Sequence, residues 1–253
     1  MLVLLNILSA AFLSFAGGDW VGNGGNLIEC ADGRLQLLDY YEGNQGRGIS
    51  VDLGDGDSFQ DHIEVVLTRL EKLSPSRALK YKMWYGNFFI DADFFSDGKF
   101  VQIPDTGPIV VPNSCDIRQI AAQRPDSEIM PGDRRYLIDL RLWERISEKD
   151  KAGLILHELI YREAIEEKQV TSTRVRYMTQ ILSSSTVESY NQLQMLELIR
   201  MVGLRYTDYG GYEIDLSGTE YYPNGAVQIA WATTQRAWIE FDQDGNFLRV
   251  MSK

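Results

Sequence analysis

The stretch that decides the fold lies past the middle of the chain and reads Ser147-Glu-Lys-Asp-Lys-Ala-Gly-Leu-Ile-Leu-His-Glu-Leu-Ile-Tyr-Arg-Glu-Ala-Ile-Glu-Glu167. Ser147 and Asp150 have capping-box spacing, which predicts a long helix over about 148–167. Apolar residues nearly surround the first turns of this helix. Such a distribution is typical of a helix that lies inside a core and not on its surface. The stretch therefore predicts a central, buried helix.

This helix contains the one motif with chemical content, which is His157-Glu158-Leu-Ile-Tyr161. The motif resembles the zinc-peptidase helix His-Glu-x-x-His, in which two histidines bind Zn²⁺ and the glutamate activates the metal-bound water. His157 and Glu158 match, as a metal ligand and a general base. Tyr161 stands where the second histidine is required, so the match is incomplete. A zinc-dependent hydrolase of peptide or cell-wall substrate is therefore only the alternative hypothesis.

A zinc site would also need ligands from elsewhere in the chain, because catalytic zinc usually has three protein ligands. The only other histidine is His62, which we expect to be exposed on the flank of another helix. The carboxylates Glu163 and Glu166 follow on the same helix, but Glu163 at i+6 points away from the His157 face. No cofactor is therefore expected, with zinc as the alternative.

A structural polar network is the favoured interpretation of the same residues. Glu158 and Arg162 have the favourable i,i+4 orientation for an ion pair. A buried glutamate without such a partner would be costly. The expected supporting residues are Tyr161, Arg162, Arg174 and Arg176. A functional pocket around His157 that binds no metal is a third interpretation.

The remaining sequence predicts further helices around this one. Ser58 and Asp61 have capping-box spacing ahead of an amphipathic helix that ends near Ser74-Pro75. The other predicted helices cover 78–84, 116–124, 173–182 and 186–202, the last with Ser185 and Glu188 as its cap and Gly203 as its stop.

Strands are predicted toward both ends of the chain. Asn26–Cys30 and Arg34–Tyr41 flank Asp32-Gly33, a hairpin signal, and 43–56 is predicted to be a loop. The region 88–111 has the composition of short strands and turns. Near the C-terminus, Tyr221–Gly225 and Phe241–Gly245 each precede alternating apolar residues. They are similar to the Tyr-x-x-Asn-Gly repeats of bacterial envelope-associated proteins, although an ordinary antiparallel meander is favoured.

Together these patterns predict an α+β fold, with a central helical cluster and antiparallel strands at both ends. The expected organisation is a signal peptide over 1–16, a core domain over 17–203 and a C-terminal β-hairpin segment over 204–253 that packs on the core. Residues 1–16 are apolar and end in Ser14 and Ala16, a small-x-small cleavage pattern. No other segment is apolar enough to span a membrane, so a periplasmic or secreted, soluble protein is expected.

The cysteine count agrees with export. The chain has two cysteines, Cys30 and Cys115. An even pair in an oxidising compartment predicts one disulfide bond, and two free buried thiols are the alternative.

Several short pieces of the chain share a pattern with other proteins. They are Gly24–Asn26, Leu38–Tyr41, Pro112–Gln123, Lys151–Glu163 and Ser172–Arg176. In these pieces the chain resembles a group of uncharacterised exported bacterial proteins with the same His-Glu-x-x-Tyr helix. The resemblance implies export and a shared fold, and it carries no activity.

Charge excludes some classes of partner. The formal net charge is −11, which disfavours nucleic acids and anionic membrane surfaces. The acidic run Gly54–Ser58 with Asp61 offers carboxylates for Ca²⁺ but lacks the Gly and terminal Glu of an EF-hand loop, so a solvated turn that caps the next helix is favoured. The sequence thus predicts a non-catalytic binding or structural protein with an unknown protein or cell-envelope partner.

Overall fold

Residues 24–97, 100, 111–168 and 172–251 are described by a computed structural model of the 253-residue chain. The predicted signal peptide, residues 1–16, lies outside the described residues. The described part is an α+β fold with antiparallel sheets in its N-terminal and C-terminal regions, as the sequence predicts.

Helices occupy the centre of the chain. In order they are α1 (Leu38–Glu42), α2 (Phe59–Leu73), α3 (Pro75–Asn87), α4 (Leu140–Trp143), α5 (Glu148–Glu166), α6 (Thr173–Leu182) and α7 (Gln192–Val202). The long helix α5 corresponds to the predicted central helix, and it packs against α2, α3 and α6. Ser58 and Asp61 form the predicted capping box of α2. No helix within the described ranges is both long enough and apolar enough to cross a membrane.

Within the described residues the strands form three sheets. They are β1 (Asn26–Cys30), β2 (Leu35–Leu37), β3 (Ala92–Phe95), β4 (Cys115–Gln119), β5 (Ala121–Gln123), β6 (Tyr136–Asp139), β7 (Tyr206–Tyr209), β8 (Tyr212–Tyr221), β9 (Val227–Ala232), β10 (Ala237–Phe241) and β11 (Phe247–Met251). The sheet orders are β2-β1-β4, β3-β6-β5 and β11-β10-β9-β8-β7. All pairs are antiparallel except β3 with β6.

The predicted disulfide is present and joins the first sheet. Cys30 and Cys115 face each other across the β1–β4 pair, at the end of its register. The bond connects residues 85 positions apart in the chain. The alternative of two free thiols is therefore wrong.

The C-terminal strands form a meander in which the two predicted turns share one geometry. Gly225 and Gly245 have φ values of 86° and 83°, a left-handed conformation that glycine adopts without strain. In each turn the glycine N–H donates to the carbonyl three residues earlier, at Tyr222 and Asp242. The five-stranded sheet adjoins α3 and α7, and its own apolar cluster includes Leu196 of α7.

Part of the predicted strand at 34–41 is helical. Strand β2 ends at Leu37 and α1 begins at Leu38. Leu38, Asp39 and Tyr40 are all buried. A strand on a sheet surface would send alternate side chains to opposite faces, whereas a helical turn packed between α5 and α6 buries all three.

The predicted helix at 116–124 is wrong, because these residues form β4 and β5. Cys115–Gln119 pairs along its whole length with β1, and Ala121–Gln123 pairs with β6. Sheet pairing and the disulfide bond outweigh the local helical preference, as tertiary context often does.

The last predicted helix begins later than expected. Ser185–Ser189 is a 3₁₀ turn, and the capping box of α7 is formed by Asn191 and Gln194. Glu188 instead accepts a hydrogen bond from Arg69 Nε at 2.7 Å. The predicted loop at 43–56 also begins with a π-helical turn, Gly43–Arg47, that continues α1.

Candidate functional site

Helix α5 places the His-Glu motif in the middle of the core. Its N-terminus is fixed by Ser147, whose hydroxyl accepts the Asp150 N–H. Asp150 in turn accepts the Leu37 N–H at 2.9 Å, so the start of α5 is tied to strand β2. The His157 side chain is 1% exposed and Glu158 is 0% exposed. The two polar residues therefore need partners within the protein.

The partner of His157 is Asp39 in α1. The distance from Nδ1 of His157 to Oδ2 of Asp39 is 2.7 Å, and both side chains are buried. Burial alone disfavours the charged imidazolium, but the Asp39 carboxylate outweighs burial and raises the pKa of His157. Glu158 and Glu42 act on this pKa in the same direction. His157 and Asp39 thus form a buried, charge-assisted pair.

The partners of Glu158 lie just before β1 and in β5. Its Oε1 accepts the backbone N–H of Gly25 at 2.7 Å, and its Oε2 accepts from Nε2 of Gln123 at 2.8 Å. Burial raises the pKa of Glu158, while these two hydrogen bonds and the charge of His157 oppose the rise. The two carboxylate oxygens of Glu158 therefore connect α5 to Gly25 and to strand β5.

The donor set does not have the composition of a zinc centre. No group of three or more His, Cys, Asp or Glu side chains that could hold a metal ion occurs among the residues that the structure describes. Tyr161 is fully buried, and its ring centroid lies 6.0 Å from that of His157. Glu166 is exposed at the end of α5.

The other histidine is not at the surface. His62 is 2% exposed, and its Nδ1 lies 3.0 Å from the backbone carbonyl of Leu53. The expectation that it is exposed is wrong, because it belongs to the face of α2 that packs into the core.

The arginines expected near the motif have other contacts. Arg162 lies over the Trp84 ring at 4.4 Å and 3.9 Å from Asp91. Arg176, which is almost fully buried, donates to both carboxylate oxygens of Glu42, at 2.9 and 3.2 Å. Arg174 is exposed. Glu158 thus accepts long-range hydrogen bonds from Gly25 and Gln123 instead of forming the predicted i,i+4 ion pair with Arg162.

Glu163 belongs to a second buried cluster on the α3 side of α5. Arg77 donates to both of its oxygens, at 3.0 and 3.1 Å, and Lys80 and the Tyr81 hydroxyl donate as well. Burial alone would raise the pKa of Glu163, but Arg77 and its neighbours outweigh burial and lower the pKa to about 2. Glu163 is therefore an ion-pair residue that connects α5 to α3.

Sequence reasoning missed Asp39, Gly25 and Gln123 as partners of the motif. All three lie in short pieces that the sequence analysis singles out, namely 24–26, 38–41 and 112–123. The structure brings these pieces together around His157 and Glu158. The pieces are far apart in the chain, so only the tertiary structure identifies which polar groups pair.

No family model matches this chain, and no curated protein or solved structure matches it either.

Proposed function

We propose that the chain is an exported, extracytoplasmic protein with a non-catalytic binding or structural role, in which the His-Glu motif stabilises the core. One observation carries the proposal. His157 and Glu158 are fully enclosed and bound to Asp39, Gly25 and Gln123, which links α5 to the N-terminal strands. A general base needs access to the proton that it abstracts, and a zinc ligand needs further ligands beside it.

An extracytoplasmic location is supported by the disulfide bond between Cys30 and Cys115. Such bonds form and persist in oxidising compartments and are rare in the cytosol. The signal peptide predicted over 1–16 would direct the chain to the same location. The partner would then be a protein or another component of the cell envelope.

Metal analysis of the purified protein tests the proposal against zinc-dependent hydrolysis. We expect substoichiometric zinc in the wild-type chain and no change in metal content in His157→Asn. The matched control is His62→Asn, which changes the other buried histidine. One zinc per chain that is lost in His157→Asn and retained in His62→Asn, with hydrolysis of a peptide substrate, would overturn the proposal.

A further inference from the structure

A cluster of arginines surrounds a cavity on a chain that is otherwise strongly acidic. The cavity has a volume of about 470 Å³ and is lined by Arg118, Arg141 and Arg145, among other residues. Its size is within the usual range for small-molecule sites. Two carboxylates, Glu29 and Asp139, also line it. Among the lining residues that the structure describes, three guanidinium groups and two carboxylates give a formal charge of +1, whereas the whole chain carries −11.

The three arginines come from different elements and converge by tertiary folding. Arg118 lies in β4, Arg141 lies in α4, and Arg145 follows in the turn after α4. In the β1–β4 register Glu29 is opposite Asp116, so Arg118 is its diagonal neighbour on the same face. Arg141 and Arg145 are four residues apart in the sequence, whereas Arg118 joins them only through the tertiary fold.

The carboxylates orient the guanidinium groups through hydrogen bonds. Glu29 accepts from Nε of Arg118 at 3.1 Å and from Nη2 of Arg145 at 2.8 Å, so that it bridges the two side chains. These hydrogen bonds lower the pKa of Glu29, with Arg145 as the main cause. Asp139, which also caps α4, accepts from Nη2 of Arg141 at 3.2 Å. Donors that are oriented before a ligand arrives reduce the entropic cost of binding.

The guanidinium groups remain accessible beside the cavity. The side chains of Arg118, Arg141 and Arg145 are 48%, 53% and 49% exposed. Each guanidinium has five N–H donors in a planar fork that matches the oxygens of phosphate or carboxylate groups. Phe100 and Leu142 line the same cavity and add apolar surface.

We propose that this cavity binds a small organic phosphate, with the phosphate group at Arg118, Arg141 and Arg145 and an apolar portion against Phe100. A phosphate monoester has three terminal oxygens and nearly two negative charges, which suit three arginines better than a carboxylate does. The inference rests on the proposed binding role and adds a ligand class to it. The site is separate from His157, so a negative result here would leave the zinc experiment unaffected.

Calorimetric titration of the purified protein with phenyl phosphate at low ionic strength tests the inference. We expect saturable one-to-one binding that weakens with added salt. Inorganic phosphate should bind more weakly because it lacks the ring, and phenol should not bind. Absence of saturable binding at millimolar phenyl phosphate would overturn the inference, and tighter binding of benzoate would overturn the assignment to phosphate.

Substitutions of the cavity arginines test whether phenyl phosphate binds at these residues. Arg118→Gln and Arg145→Gln should each weaken binding about tenfold, since a charge-assisted hydrogen bond is lost. Arg249→Gln is the matched control, because Arg249 is an exposed arginine paired with Glu240 in the C-terminal sheet. Arg118→Lys retains the charge and should lose only part of the affinity, which separates binding from folding defects. Equal losses in Arg249→Gln and Arg118→Gln would contradict the assignment.

Discussion

At the scale of single residues, buried charges in this core have partners that come from distant parts of the chain. His157 pairs with Asp39, and Glu163 pairs with Arg77. Removing one member of a buried ion pair leaves the other charged in a medium of low polarity. The loss of stability on replacing such a residue therefore comes mainly from the buried, uncompensated charge of its former partner.

Glu163→Gln should destabilise the protein by about 3–5 kcal/mol at neutral pH, because Arg77 would remain buried without its counter-charge. Urea unfolding followed by circular dichroism measures this change. The control is Glu71→Gln, which removes an exposed partner of Lys82 and should cost less than about 1 kcal/mol. Equal effects of the two substitutions would contradict the assigned role of Glu163.

The lowered pKa of Glu163 predicts that the free energy of unfolding depends on pH. The pKa of Glu163 falls from an ordinary value of 4.5 to about 2 in the folded chain. The contribution of the ionised Glu163 side chain to the free energy of unfolding is therefore fully present above pH 4.5, and it is lost as the pH falls toward 2. The difference in unfolding free energy between the wild type and Glu163→Gln should shrink in this range.

At the scale of elements, glycines in two different helices have different surroundings, so that replacing them with alanine should change stability in opposite directions. Gly153 lies in the interior of α5 and Gly86 lies in the last turn of α3, and glycine is less favourable than alanine in a helix. A Cβ atom at Gly153 would clash with the ring of Tyr40, whereas one at Gly86 would have no neighbour within 4 Å. Gly153 thus permits the close contact between α5 and α1.

We expect Gly86→Ala to stabilise the protein by at most about 0.5–1 kcal/mol, the helix-propensity difference for an interior position, because Gly86 lies in the last turn of α3. Gly153→Ala should instead destabilise it by about 1–3 kcal/mol, because Tyr40 is buried and cannot move away freely. Thermal unfolding of both variants under one condition gives the comparison. A stabilising Gly153→Ala would show that α1 and α5 are not in close contact.

At the scale of the whole molecule, the disulfide bond is the only covalent link between distant parts of the described chain. It closes a loop of 85 residues between β1 and β4. In the chain-entropy model such a loop corresponds to about 4.5 kcal/mol of stability.

The double variant Cys30→Ala, Cys115→Ala should therefore unfold at a markedly lower urea concentration than the oxidised wild type. Reduction of the wild type should bring its midpoint close to that of the double variant, while the reductant should leave the variant unchanged. A midpoint for the double variant equal to that of the oxidised protein would show that the bond contributes no stability.

Several features of the fold follow from the sequence alone. Apolar periodicity and capping residues predicted α2 and α5, the cysteine count predicted the disulfide bond, and Asn-Gly and Asp-Gly pairs predicted the C-terminal hairpins. These signals are local, since each depends on backbone preferences within a few residues. The α+β class follows from their order along the chain.

Tertiary structure alone decided the rest. It made β4 and β5 from a segment with a helical pattern, because pairing with β1 and β6 satisfies their backbone hydrogen bonds. It also places Asp39, Gly25 and Gln123 beside the His-Glu motif. The same folding places Arg118 beside Arg141 and Arg145. These contacts join residues far apart in the chain, and only the packing of the helices and sheets against one another sets their distances.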